Sequence, residues 1–175
     1  MIVFAGLGAC GSVGQIEGGV GEEGGTEIDL SGYQRVVVLD MGDGTKGKDV
    51  PDFAGSNFAD RIAAEIRSTE AFVEVSRDLG DARSVVISGE ITRYAEGNPG
   101  LKLLIGFGAG STYFDAVVRF HDSESAELLG ELVVDKNSWV LGGGLAAGQS
   151  VEQFMKGAAE KIAKELVEAK GYSGS

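Results

Sequence analysis

Residues 35–49, RVVVLDMGDGTKGKD, hold the spacing with the most specific chemical meaning in the chain. An apolar run, residues 36–39, reads as a buried strand. It leads into Gly42-x-x-x-x-Gly47-Lys48 and then Asp49. A phosphate-binding P-loop has this layout because its backbone N–H groups cradle phosphates at a helix N-terminus, while an eighth-position Ser or Thr holds Mg²⁺. Here the eighth position is Asp49, and Val50-Pro51 follows. Proline disfavours a helical conformation in the residue before it, so the helix is predicted to start late, with its dipole out of reach of a phosphate in the loop. Asp40, Asp43, Asp49 and Asp52 add further negative charge. The reading is a solvated acidic loop that binds no nucleotide. The D-x-D-x-D-G spacing of calcium loops is absent as well.

Two more glycine clusters could carry chemistry. Ile105-Gly106-Phe107-Gly108-Ala109-Gly110-Ser111 has the spacing G-x-G-x-G and leads into a predicted strand, whereas a dinucleotide site needs G-x-G-x-x-G and a helix. Gly106, Gly108 and Gly110 are therefore read as turn or close-approach positions. The third cluster, residues 141–148, follows the single tryptophan, Trp139. It is a plain loop or, on the sharper reading, a contact patch anchored by Trp139. The remaining inventory is thin. His121 stands beside Asp122, Asp115 and Arg119 share its strand face, and no serine has nucleophile-elbow context. No catalytic residue is assigned. One histidine and one cysteine supply no metal set, and no cofactor is expected.

The elements that would position these residues are legible from periodicity. The chain has 175 residues and a net charge of -12, so it is long enough for one self-sufficient core and too acidic for non-specific nucleic-acid binding. The first strand is predicted over 33–41 and a helix over 53–69, with Phe58, Ala59, Ile62, Ala63 and Ile66 as its apolar stripe. A short strand, 71–76, follows. Residues 84–95 alternate, with Val85, Ile87, Gly89 and Ile91 on one face and Ser88, Glu90, Thr92 and Tyr94 on the other. Residues 112–120 alternate again, and 127–134 pairs back as a hairpin. A helix over 151–170 opens on a Ser150/Gln153 capping box and closes at Gly171. The order β-α-β-β-β-β-α predicts an α/β (α+β) two-layer sandwich: a mixed, mostly antiparallel sheet with both helices on one face.

Residues 1–9, MIVFAGLGA, are apolar or small and too few to span a bilayer. They suit the end of a signal peptide, and Leu7-Gly8-Ala9-Cys10 resembles the bacterial lipobox, in which the cysteine becomes the acylated first residue. The alternative is a buried strand with an inert cysteine. No Lys or Arg precedes Arg35, so the charged start of a signal peptide is expected upstream. Residues 11–32 contain eight glycines and five acids, and read as a tether with a reach of about 25–30 Å. The expected organisation is a signal remnant (1–9), a lipidated Cys10 with its tether (10–32), one globular domain (33–171) and a tail (172–175).

Residues 88–132 carry a further pattern. Gly89, Thr92, Tyr94, Gly97 and Asn98 fit G-x-(V/I)-T-x-Y-x-x-G-N; Leu104, Gly106, Phe107, Gly108, Ala109, Gly110 and Ser111 fit L-x-G-F-G-A-G-S. This resembles the bacterial lipoprotein family catalogued as domain of unknown function 4410. The resemblance implies a lipid-anchored envelope protein facing the periplasm. Its partners would be the membrane, through the anchor, and another envelope protein, with no enzymatic activity. In lipoprotein sorting an Asp after the cysteine retains the protein in the inner membrane; Gly11 stands there, which implies the outer membrane. The competing expectation is a small-ligand-binding or hydrolytic domain with a cleft near 106–111, in which His121 or Asp43 would line a deep polar pocket.

Overall fold

A computed structural model describes residues 28–46, 50–97, 112–135 and 150–171. Among these, the elements in chain order are β1 (Arg35–Val38), β2 (Gly42–Asp43), α1 (Ala54–Ser68), β3 (Glu74–Ser76), β4 (Val85–Ala95), β5 (Tyr113–Asp122), β6 (Leu128–Val134) and α2 (Val151–Ala169). The strands form one mixed sheet in the order β3-β1-β4-β5-β6, with β2 beside β4. β1 runs parallel to β3 and β4, and β2 parallel to β4; β4, β5 and β6 form an antiparallel meander. Both helices share a single core with one face of this sheet. The fold is the two-layer α+β sandwich that the periodicity predicts, with β2 as an added short strand.

Strict alternation builds the middle of the core. Phe114, Ala116, Val118 and Phe120 of β5 are buried, while Tyr113, Asp115, Val117, Arg119 and His121 are half-buried on the other face. α1 presents Phe58, Ala59, Ile62, Ala63 and Ile66 to that core, and α2 presents Phe154, Met155, Ala158, Ile162 and Leu166. Phe58 and Phe114 meet edge to face, with ring centroids 4.8 Å apart.

β1 does not alternate, and its topology explains why. β3 and β4 flank it and run in its direction, so residues 77–84 must return across the outer face of β1 to start β4. A methyl group added at Gly80 would lie 2.5 Å from the Arg35 guanidinium, which marks this crossing. Covered on both faces, Val36, Val37 and Val38 are all fully buried, as the interior strands of parallel sheets are.

The helix termini follow two different rules. α2 opens on the predicted capping box: Ser150 Oγ accepts from the Gln153 N–H at 3.3 Å, and Gln153 Oε1 accepts from the Ser150 N–H at 3.0 Å. It closes at Gly171, whose φ of +68° suits only glycine comfortably. α1 has no side-chain cap; Phe53 sits at its N-cap and is exposed. Contact fixes its start instead. A Cβ at Gly55 would lie 2.0 Å from the Met41 carbonyl oxygen, and the Met41 N–H donates to the Gly55 carbonyl.

The structure corrects the sequence reading in two places. Ile91 pairs with Ala116 but Arg93 pairs with Asp115, so Thr92 is an extra, bulged residue. Tyr94 therefore lies opposite Phe114 and packs on the core, not with Ser88 and Glu90 on the outer face. The core also reaches back into the segment read as tether: Ile28 and Leu30 are buried, and the Leu30 N–H donates to the Ala169 carbonyl at 2.9 Å. Two apolar side chains in a glycine- and acid-rich run carry no period, yet they cover the end of the core.

Candidate functional site

The most elaborate polar arrangement among the described residues joins three distant parts of the chain. Asp122, at the end of β5, is 3% exposed. Its Oδ2 accepts from Tyr33 Oη at 2.6 Å and from Arg83 Nε at 2.8 Å; its Oδ1 accepts from the Glu124 and Ser125 N–H groups at 2.8 and 2.9 Å. Arg83 Nη2 also donates to Tyr33 Oη at 3.1 Å, and its guanidinium lies over the Tyr33 ring. Ser84 and Ser123 exchange two further hydrogen bonds beside it. The Tyr33 hydroxyl and the backbone N–H groups hold the Asp122 carboxyl well below the usual carboxylate range. Burial, with the Asp122 carboxylate second, pushes the Tyr33 phenol up to about 12. A carboxylate saturated by donors is a poor general base. What this arrangement does is bind the entry of the chain to the start of β4 and to the β5–β6 turn.

The shift has a measurable consequence. Tyr33 holds its proton more tightly folded than unfolded, so its contribution is complete below its ordinary value of 10.0 and is lost as pH rises through about 12. The Asp122 contribution has the opposite sign: it is present above the ordinary 3.8 and lost as pH falls. Urea unfolding of wild type and Tyr33→Phe should therefore show a stability gap that is constant near neutral pH and narrows between about pH 10 and 12. A gap that does not change over that window would refute the assignment.

Other charged residues are tied into the frame. Arg77 reaches from the end of β3 to the Val38 carbonyl at 2.7 Å, to Asp60 of α1 at 2.6 Å, and to Asp40. On the outer face of the sheet Arg119 bridges Glu131 at 2.8 Å and Glu90 at 3.3 Å, so one guanidinium serves two carboxylates. Arg93 stacks over the Tyr113 ring, 3.4 Å from its centroid. Asp115, Arg119 and His121 share this face as the alternation predicts. Among the described residues no group of three or more His, Cys, Asp or Glu could hold a metal ion, and no helix is long and apolar enough to cross a membrane.

The P-loop-like spacing has the wrong frame. Gly42 and Asp43 pair with β4, the Asp43 carboxylate accepts from the Thr45 N–H and hydroxyl, and α1 begins only at Ala54, beyond Pro51. Gly47, Lys48 and Asp49 lie outside the described residues. So do the lipobox residues Leu7, Gly8 and Ala9, Cys10, the motif glycines Gly106, Gly108 and Gly110, and Trp139. Their flanks can nevertheless be placed. The end of β2, the end of β4, the start of β5 and the end of β6 lie at one end of the sheet, and the flanks of 47–49, 98–111 and 136–149 lie there with them. The chain enters the domain at the opposite end, where Leu30 meets Ala169 and Lys170 Nζ donates to the Tyr33 carbonyl. The Tyr33–Arg83–Asp122 arrangement escapes sequence reading; only the Asp122-Ser123-Glu124-Ser125 turn announces one of its members.

The family model described as Domain of unknown function (DUF4410) matches residues 28–142. No curated protein matches the chain. Among solved structures, the PelC dodecamer from Paraburkholderia phytofirmans is 12% identical, with a TM-score of 0.54 over 87% of this chain and 98% of that one. A variant PelC dodecamer from the same organism is 16% identical, with a TM-score of 0.51 over 91% and 99%. At these identities the likeness shows a shared fold.

Proposed function

Because the chain belongs to the family described as domain of unknown function 4410, we propose that it is a lipid-anchored lipoprotein of the bacterial cell envelope. Its domain faces the periplasm from the outer membrane and binds another envelope protein without catalysing a reaction. The observation that carries this reading is the polarity of the domain. The chain enters at Ile28, at the end closed by Tyr33, Asp122 and the C-terminus of α2. The flanks of the glycine-rich segments 98–111 and 136–149 lie at the other end. A protein held by acylated Cys10 and the segment after it would thus present its far end to a partner.

Expressed with a functional export signal, wild type should fractionate with the outer membrane, and Cys10→Ala should move to the soluble periplasm. The same membrane partitioning in both would defeat the anchor.

A further inference from the structure

β6 is an edge strand that lacks the usual protection. Its inner neighbour is β5, and among the described residues nothing pairs with its other side. The opposite edge, β3, is three residues long and closed by the Arg35–Glu74 ion pair, a common way of blunting an edge. β6 runs for seven residues, LLGELVV, with no Lys or Pro. A register shift between Phe120 and His121 twists its beginning, which leaves residues 130–134 as the regular stretch. In an antiparallel ladder every second residue of an edge strand turns its N–H and C=O outward. Its one charged side chain, Glu131, is drawn onto the sheet face by Arg119, and Val133 beside it is 54% exposed.

The charge around this edge has one sign. From 120 to 135 the chain carries Asp122, Glu124, Glu127, Glu131 and Asp135 and no Lys or Arg. Asp122 is neutralised by Arg83, and Arg119 is shared between Glu90 and Glu131, which leaves this part of the sheet negative. A second copy, itself carrying -12, would meet repulsion here. The geometry points to β6 as a docking edge that takes an extended strand from a basic partner, with a cation opposite Glu131 and an apolar β-branched residue opposite Val133. This rests on the reading of the domain as a protein-binding module, and names the surface and the chemistry it selects.

The probe is an end-blocked peptide alternating lysine and valine over the length of β6, titrated into the full chain while backbone amide resonances are followed. Shifts should concentrate at residues 130–134. The same peptide with glutamate in place of lysine should leave them unmoved. Val133→Lys, at an exposed position, should keep the melting temperature and weaken binding of the lysine peptide by about tenfold or more. Equal response to both peptides, shifts elsewhere, or undiminished binding by Val133→Lys each overturns the proposal. So does a chain that sediments as an oligomer with its 130–134 amides already protected, since a second copy then occupies the edge. Fractionation of Cys10→Ala reads the anchor independently, so the two ideas fail separately.

Discussion

Phe58→Ala lowers the free energy of unfolding by about 3–5 kcal/mol, the largest effect expected of any single truncation here. Phe58 is fully buried and joins α1 to the middle of the sheet through its edge-to-face contact with Phe114. Its removal subtracts the transfer free energy of a ring and leaves a cavity between two elements that cannot both relax onto it. Against a typical domain stability of about 5–15 kcal/mol the loss is severe. Urea unfolding should show a lowered midpoint with an unchanged slope. The Phe58→Ala/Phe114→Ala double mutant should cost less than the sum of the singles by about 0.5–1.5 kcal/mol, the worth of the aromatic pair beyond burial. Strict additivity would mean that the contact does not couple the two layers.

Gly55→Ala is the second. In an open helical position this change stabilises by about 0.5–1 kcal/mol. At Gly55 the sign should reverse, because the new methyl would lie 2.0 Å from the Met41 carbonyl oxygen, a backbone atom that no rotamer change can remove. α1 must lift from the end of β1, at a cost of about 1–3 kcal/mol or more. The damage should be local first, with the amides of the first α1 turn exchanging faster than those around Ile62. A variant as stable as wild type would show that α1 does not need this close approach.

Elements with a local cause were legible in the sequence. Ser150, Gln153 and Gly171 delimit α2 because capping is written within four residues, and the alternation of β5 reports a face that is buried on one side. Thr92 shows where such reading stops. A bulge adds one residue without breaking the apparent period of two, so Tyr94 was assigned to the wrong face. The partners of Asp122 were hidden for a different reason: Tyr33 lies 89 positions away in sequence and no local pattern couples them. Ile28 and Leu30 were lost to composition. The family motif around residues 106–111 was readable as a resemblance, since it depends on identity and not on contacts.

The central place of β1 has a consequence for how the chain assembles. β3 and β4 are close in sequence, yet β1 lies between them, so neither can take its final place until a strand from earlier in the chain is inserted. The meander β4–β5–β6 needs only nearby segments, whereas β1 must find partners 39 and 49 residues downstream, at Glu74 and Val85. Such non-local closure is the slow step in folding kinetics. β1 is therefore the keystone of the sheet. A truncation that ends inside it removes no margin; it splits the sheet and strands β3 without a neighbour.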